Sequence, residues 1–446
     1  MEQNSNKKGN FIGILPLIVF LVLYMSTGIF TGSFDNMPLM IGIMIASGIA
    51  LALKKPGETR PTTFDEKVSM YCKGGGEETL ILMVLIFLLA GAFYGIANEM
   101  HAVESATNLG LSILPSRLIL PGLFLIGCIL SFSMGTSMGT VAALMPIAVD
   151  IANKTGFNIA LVSGVVVGGA MFGDNLSFIS DTTIAATRTQ EVSMKAKFKA
   201  NILMVLPAVI INCILLSMQT SSTPITQAVY DYNIVNLIPY AVVIVLSLIG
   251  LNVIKVMTIG VASGIIIGII HGDFTLVSSL GIIHTGMTWM EDMSLIAILV
   301  GGMVALMNYL GGIDWLLEKL TRKTKTARGG ELSIAALVSL LDIATTNNTI
   351  SIIAAGPIAK EISDKFGIAR ERVASILDLF SSAFNGLLPY AGQLLVAGGI
   401  AKISPMSIMP YVWYCILMLI FGTIFILIGW PKFKKKDIAK VEANLQ

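Results

Sequence analysis

The sequence has few charged residues for its length. Only 13% of its 446 residues are Asp, Glu, Lys or Arg, whereas 55% are hydrophobic. The mean hydropathy is +0.82. A chain of this kind cannot expose most of its surface to water. The composition therefore excludes a soluble globular protein and indicates a polytopic membrane protein.

Metal-cluster and nucleotide signatures are also missing. The four cysteines are isolated and none forms a CxxC pair, which argues against a metal cluster or a disulfide framework. No GxxxxGK[ST] loop occurs, so no nucleotide drives the protein directly. We expect no enzyme activity, no cofactor and no nucleic-acid partner.

Apolar runs near the roughly 20 residues that cross a bilayer recur along the chain. We predict an all-α fold of about ten spans plus two re-entrant hairpins. The spans are Phe11–Phe30, Met37–Leu53, Thr79–Glu99, Asn158–Ala186, Asn201–Met218, Ile234–Leu251, Val256–His271, Ser294–Leu310, Arg372–Ala401 and Pro410–Gly429. Two of them, 158–186 and 372–401, contain polar stretches and are predicted to be broken helices. The hairpins are predicted at 118–152, around SFSMGTSMGT, and at 331–359, around DIATTNNTIS.

An internal repeat divides the chain. PIAVDIANKTG, starting at Pro146, recurs as PIAKEISDKFG, starting at Pro357, with six of eleven positions identical and an offset of 211 residues. The same offset aligns the two hairpins and the two broken helices. Residues 1–220 and 221–430 are therefore predicted to be two repeats, followed by a basic tail at 431–446. Broken helices at matching positions are typical of secondary transporters with a site at the repeat interface.

The distribution of Lys and Arg predicts the orientation of the repeats. Alternate loops such as Gln219–Asn233 carry no Lys or Arg, and under the positive-inside rule these loops lie outside. Both termini are then cytoplasmic in a multi-pass protein of the cell membrane. Each half has an odd number of crossings, so the repeats are predicted to be inverted. The exceptions to the charge rule are Arg117, Lys154 and Lys402.

The hairpin tips are rich in oxygen ligands. The hydroxyl and amide side chains there are Ser133, Thr136, Ser137 and Thr140 at the first tip, and Thr345, Thr346, Asn347, Asn348, Thr349 and Ser351 at the second. A set without sulfur or imidazole suits a hard cation such as Na⁺. The alternative is that these side chains only cap broken helices.

Carboxylates inside apolar segments are the candidates for proton coupling. Asp174 and Asp181 lie in the first broken helix, and a lone carboxylate in the bilayer costs about 2.5–3.5 kcal/mol. Each would be ionised with Na⁺ bound, and desolvation would favour its protonated form without Na⁺. Asp342 and Asp378 are the second pair of candidates. Structural caps are the alternative for all four, and Asp378 could instead pair with Arg372 or Lys365.

Two motifs carry a resemblance to a known family. GTSMGTVAALMPIA at Gly135–Ala148 and GDNLSFISDTT at Gly173–Thr183 resemble signatures of the NhaC-type sodium/proton antiporter family, and TTNNTISIIAAGPIA at Thr345–Ala359 extends the match. The resemblance implies inverted repeats with scaffold and transport domains, an elevator motion and a homodimer. It implies Na⁺ coordination near Thr136, Ser137, Asp174 and Asn175 and near Asn347, Asn348 and Asn385. The predicted Na⁺ ligands are Thr136, Ser137, Asp174, Asn347 and Asn348. The predicted substrate- and ion-binding residues are Ser133, Thr136, Ser137, Asp174, Asn175, Ser177, Asp181, Thr182, Thr346, Asn347, Asn348, Thr349 and Asn385.

Three functions fit these residues. The first is Na⁺/H⁺ antiport with Na⁺ and H⁺ as partners. The second is Na⁺- or H⁺-coupled transport of an amino acid or small carboxylate, because the family includes amino-acid carriers and Asn385 stands where the first half has Asp174. The third is a gated channel, against which the two-sided hairpins argue.

Overall fold

The structure is a computed structural model that describes residues 9–31, 36–58, 60–177, 180–220, 231–249, 251–315 and 326–430. A few side chains within these ranges, that of Ser133 among them, lie outside the description. All regular elements of the described residues are helices. The all-α prediction is confirmed for this part of the chain.

The described residues of the first half form ten α-helices. They are α1 (Leu15–Thr31), α2 (Leu39–Ala52), α3 (Phe64–Gly75), α4 (Glu78–Glu99), α5 (Ala102–Ile113), α6 (Ile119–Met134), α7 (Ser137–Thr155), α8 (Ile159–Leu176), α9 (Asp181–Thr189) and α10 (Met194–Ser217).

The described part of the second half contains ten more. They are α11 (Ile238–Leu248), α12 (Val253–His271), α13 (Leu276–Thr288), α14 (Glu291–Tyr309), α15 (Ala327–Thr345), α16 (Asn348–Phe366), α17 (Arg370–Asn385), α18 (Gly392–Ala401), α19 (Pro405–Ile408) and α20 (Trp413–Ile428).

Several helices are long and apolar enough to cross a membrane. Five helical runs of the described residues meet that test by length and composition, or seven if each of two bent pairs is one span. These observations agree with a polytopic membrane protein, and the number of ten spans stays a prediction. Helix α10 begins seven residues before the predicted span at Asn201, because the Ser193 side chain accepts a hydrogen bond from the backbone N–H of Ala196 at 3.3 Å and caps the helix there.

Both predicted hairpin regions are pairs of helices joined by two residues. Gly135 ends α6 with φ 66°, and Thr346 ends α15 with φ 58°. Thr136 and Asn347 follow with extended backbone, and α7 and α16 start at the next residue. Within each pair the two helices pack against each other. The left-handed conformation is easy for Gly135 and costs free energy at Thr346.

In both predicted broken helices, 158–186 and 372–401, the first helix ends within the polar stretch and a second helix begins after it. Helix α8 ends at Leu176, and Ser177 and Ser180 have extended backbone before α9 begins. Helix α17 ends at Asn385, and α18 begins at Gly392. Carbonyl groups of the last turn of α8 and backbone N–H groups of the first turn of α9 therefore lie in the interior, available to side chains or ions.

These interrupted helices form the centre of the molecule. Helix α8 is buried along most of its length against α6 and α7, and α17 packs against α15 and α16. Gly127 of α6 and Gly169 of α8 allow close approach, since a Cβ on Gly169 would lie 3.2 Å from the Cα of Gly127. Helix α9 packs on α16, and α18 packs on α7. Each half thus contacts the hairpin of the other half.

Candidate functional site

The site centres on Asp174, which lies in the last turn of α8 and is only 5% exposed. Its Oδ1 accepts a hydrogen bond from the backbone N–H of Ser137 at 3.1 Å. Its Oδ2 accepts from the Ser137 hydroxyl at 2.6 Å and from the Asn348 amide nitrogen at 3.3 Å. One carboxylate therefore contacts the tips of both hairpins.

The local helix ends explain this arrangement. Ser137 is the first residue of α7 and Asn348 is the first residue of α16. Helix N-termini present unpaired N–H groups and a partial positive charge, so they favour a carboxylate. The N-terminal ends of α7 and α16 thus favour the charged form of the buried Asp174 carboxylate.

Gln393 extends this cluster from α18. Its amide nitrogen donates to the Ser137 hydroxyl oxygen at 2.9 Å. The Gln393 Oε1 atom is buried and has no hydrogen-bond partner among the described residues. The sequence prediction missed Gln393, although the 211-residue offset aligns it with the predicted site residue Thr182.

A second buried carboxylate, Asp342, lies in the last turn of α15. Its Oδ1 accepts from the Asn385 amide nitrogen and from the Ser351 hydroxyl, both at 3.4 Å. Its Oδ2 is buried without a hydrogen-bond partner among the described residues. The Asn385 amide nitrogen also lies 3.4 Å from the carbonyl oxygen of Thr346. Asp174 therefore lies on an interrupted helix of the first half, whereas Asp342 lies on the hairpin of the second half.

A third buried carboxylate, Asp378 of α17, forms an ion pair with Lys197 of α10. Both side chains are at most 1% exposed. Asp378 Oδ2 also accepts from the Thr183 hydroxyl at 3.2 Å. The alternative that Asp378 pairs with Arg372 or Lys365 is wrong. Arg372 instead lies 2.8 Å from Glu331 and donates to carbonyl groups at the end of α20.

Other predicted residues hold the hairpin tips in shape. The Asn347 side chain accepts from the backbone N–H of Ile350 at 3.0 Å, which is an N-cap contact. The Thr136 carbonyl accepts from the Thr140 hydroxyl at 3.0 Å. Thr346 supplies its carbonyl to Asn385, and the backbone N–H of Thr349 contacts Asn348 Oδ1 at 3.0 Å. Capping is therefore one role of these tips in the structure.

The remaining predicted residues lie around the end of α8. The Thr182 hydroxyl donates to the carbonyl of Asp174 at 2.6 Å. The Asn175 side chain contacts Met418 and Asn201. Ser177 is buried next to Asn175, and Asp181 is exposed at the start of α9. The Ser133 side chain lies outside the described residues.

Lys197 and Asn201 were not among the predicted site residues. In the sequence, Lys197 lies in the basic stretch 188–199, which is predicted to be a cytoplasmic loop. A signal was nevertheless present, because Lys197 and Asn201 are four residues apart and lie on one face of a helix once the start of α10 is moved to Met194.

Comparison with known proteins identifies the family. The sequence profile of the Na⁺/H⁺ antiporter family matches residues 6–217 and 197–430. The malate-2H⁺/Na⁺-lactate antiporter of Bacillus subtilis is 24% identical, with 90% of each chain covered. The Na⁺/H⁺ antiporter NhaC of the same organism is 25% identical over 96% of this chain and 100% of that one. The arginine/ornithine antiporter ArcD of Halobacterium salinarum is 20% identical over 97% and 95% of the two chains. The chain therefore belongs to the Na⁺/H⁺ antiporter family.

Proposed function

We propose that this protein exchanges Na⁺ for H⁺ across the cell membrane, with Asp174 as the carboxylate that binds either ion. Family membership makes the chain a multi-pass transporter and not an enzyme, and the relatives support sodium-coupled antiport. The observation that carries the finer proposal is the contact of Asp174 with both hairpin tips, through Ser137 and Asn348.

The chemistry of exchange follows from competition for one carboxylate. Asp174 is the anionic ligand, and the hydroxyl oxygen of Ser137 and the amide oxygen of Asn348 can turn towards a bound Na⁺ after small side-chain rotations. When Na⁺ leaves, a proton neutralises the carboxylate, so that the site never carries an unpaired charge through the apolar interior. Binding of the two ions is then mutually exclusive, which couples their movements.

The architecture of the exchange cycle is part of the same proposal. We infer inverted repeats comprising residues 1–220 and 221–430, with both termini cytoplasmic. Helices α7 and α16, α8 and α17, and α9 and α18 start at positions 211 residues apart, which supports the repeat. Rigid-body movement of the interrupted helices and hairpins against the remaining helices, an elevator motion, would expose Asp174 to each side in turn.

Reconstitution into liposomes tests the proposal. An inward Na⁺ gradient should drive protons out, measured with a trapped pH-sensitive dye. Asp174→Asn should abolish this flux, because an amide can neither neutralise Na⁺ nor release a proton. Asp150→Asn is a matched control, since Asp150 pairs with Lys154 at 3.0 Å away from the cluster, and exchange should persist. Active Asp174→Asn protein would contradict the assignment.

Coupled transport of a small carboxylate or amino acid is the second candidate. The uncharged hydrogen-bonding groups around Asp174, including the unpartnered Gln393 oxygen, favour it. Two relatives are named for malate, lactate, arginine and ornithine. If Na⁺ moves no protons in the same liposomes but one of these labelled solutes accumulates, the second candidate replaces the first.

A further inference from the structure

The Lys197 ammonium group has an unusual position for a charged side chain. It lies on α10, in the first turns of the helix, and is 1% exposed. Its Nζ atom donates to Asp378 Oδ2 of α17, to the carbonyl oxygen of Asn175 in the last turn of α8, and to the Thr183 hydroxyl of α9 at 2.9 Å. One nitrogen thus joins both sides of the interruption between α8 and α9 to the second half of the chain.

These three contacts suit an ammonium group at Lys197. The Asn175 carbonyl and the Asp378 carboxylate accept hydrogen bonds, and the Thr183 hydroxyl uses its own hydrogen towards Asp378. An ammonium group has three N–H donors, one for each of these acceptors. The ion pair thus places a basic side chain among oxygen atoms.

The same oxygen atoms would suit a free cation. A carboxylate, a hydroxyl and a helix-terminal carbonyl are hard oxygen ligands, and the carbonyl end of a half-helix attracts positive charge. Asp174, which directly precedes Asn175 in the chain, is the carboxylate that we assign to ion exchange. Asn201, one turn after Lys197, also donates to the Asn175 carbonyl at 2.7 Å. Side chains of α10 thus occupy a carbonyl group that a mobile ion would otherwise bind.

We infer that Lys197 is a tethered cation that fills a Na⁺-like position and removes Asp378 from ion exchange. This inference rests on the proposed function. The cluster has three buried carboxylates, Asp174, Asp342 and Asp378, and Lys197 neutralises the last of them. Lys197 thereby limits how many mobile cations the protein binds, and so determines the stoichiometry of transport.

Removing the ammonium group should create an additional Na⁺ site. In Lys197→Met the Asp378 carboxylate, the Thr183 hydroxyl and the Asn175 carbonyl remain, and Na⁺ can take the position of Nζ. We expect this variant to bind one more Na⁺ per protein than the unsubstituted chain, measured by equilibrium binding of radioactive ²²Na⁺ to the purified full-length protein. Its unfolding temperature should also rise more steeply with Na⁺ concentration.

Two matched variants complete the experiment. Lys197→Met combined with Asp378→Asn removes both charges, and the number of bound Na⁺ ions should return to that of the unsubstituted protein. Lys195→Met changes an exposed lysine two residues away and should leave the number unchanged. The inference is overturned if Lys197→Met binds no additional Na⁺. It is also overturned if this variant unfolds at every Na⁺ concentration while the double variant folds, because Na⁺ then cannot replace the ammonium group.

The proposed function is tested separately by the same binding measurement. Na⁺ binding to the unsubstituted protein, and its loss in Asp174→Asn, concern the assignment of Asp174. The difference between Lys197→Met and the double variant concerns Lys197 alone. If one of these two predictions is wrong, the measurement that tests the other can still be interpreted.

Discussion

At the scale of single residues, hydrogen bonds fix the position of the Asp174 carboxylate, to which we assign ion binding. The Ser137 hydroxyl makes its shortest contact, at 2.6 Å, and the same hydroxyl accepts from Gln393. Hydrogen bonds to charged groups contribute about 1.5–3 kcal/mol. Ser137 therefore orients the carboxylate and supplies an oxygen atom at the position where Na⁺ would bind.

Ser137→Ala should weaken Na⁺ binding without abolishing it. Loss of about 1.5 kcal/mol corresponds to roughly a tenfold rise in the KM for Na⁺, because 1.4 kcal/mol is tenfold in affinity. The measurement is Na⁺-dependent proton flux in liposomes. Ser163→Ala is the control, since Ser163 of α8 is buried and its hydroxyl donates to the carbonyl of Ile159 at 2.7 Å, within its own helix. Equal KM values for the two variants would show that Ser137 is not an ion ligand.

The residues that the sequence identified are those whose polarity contrasts with their surroundings. Asp174, Ser137 and Asn348 stand out because the bilayer penalises them, and the structure brings them together. Lys197 did not stand out, since it is one of several basic residues before an apolar run. Its partner Asp378 is 181 residues away in the chain, and no local pattern connects the two.

At the scale of helices, the sharp ends of α6 and α7 set the position of Ser137. Gly135 has φ 66° and Gly156, at the other end of α7, has φ 70°. A residue with a Cβ atom costs roughly 1–2 kcal/mol of free energy in this left-handed backbone conformation. Both glycines are therefore needed for stability, but only Gly135 lies close in the chain to Ser137, which contacts Asp174.

Gly135→Ala and Gly156→Ala should both lower the free energy of unfolding by roughly 1 kcal/mol. Only Gly135→Ala should also raise the KM for Na⁺, because a shift of the first tip moves Ser137 away from Asp174. Thermal unfolding and liposome flux measure the two effects. A similar change of KM in both variants would mean that the effect follows from stability rather than from the position of the tip.

An ion-pair cluster joins the α9–α10 turn to the second half. Glu191 accepts from Lys360 and Arg370, both at 2.7 Å, and it adopts φ 55°. The hydrogen bond and charge of Lys360, together with Arg370, lower the pKa of Glu191. The Glu191 side chain is 61% exposed, so solvent screens the interaction and its contribution to stability is small.

The pH dependence of this cluster follows from the lowered pKa. A carboxyl group with a lower pKa in the folded state stabilises the protein above its unfolded pKa of about 4.3, and this contribution disappears as pH falls through the folded value. Glu191→Gln should therefore lower the unfolding temperature slightly at pH 7, and the difference should vanish in acid. A difference that persists below the folded pKa would contradict the ion-pair explanation.

The helices that hydropathy failed to predict are short or amphipathic. The 12-residue α3 has Lys67 buried against the end of α2, where it donates to the carbonyl of Leu51 at 2.9 Å. Helix α5 also has 12 residues, and α13 has 13. None approaches the length of a span. Their positions depend on contacts with α14, α7 and α4, none of which is adjacent to its partner in the chain.

At the scale of the whole molecule, the charge distribution predicts that the two halves have inverted orientations in the membrane, and labelling from either side tests this prediction. The chain itself supplies a probe, because Cys72 on α3 is exposed. The predicted outer loop at 219–233 lies mostly outside the described residues, but Tyr232 is described and is 42% exposed.

Labelling with a membrane-impermeant maleimide should distinguish the two faces. In intact cells the native Cys72 should stay unlabelled and should react only after the cytoplasmic face is opened. Tyr232→Cys in a Cys72→Ser background should react in intact cells. Labelling of Cys72 from outside, or of position 232 only from the cytoplasm, would reverse the orientation or remove the inversion of the repeats.

The contacts of both hairpin tips with Asp174 have a consequence for ion leakage through the resting protein. Ser137 and Asn348 approach the carboxylate from opposite halves of the chain. Withdrawal of either hairpin alone would remove hydrogen bonds from this buried carboxylate, which is energetically costly. On the proposed mechanism, the resting protein should therefore resist ion leakage, and ions should cross the membrane only while bound to Asp174.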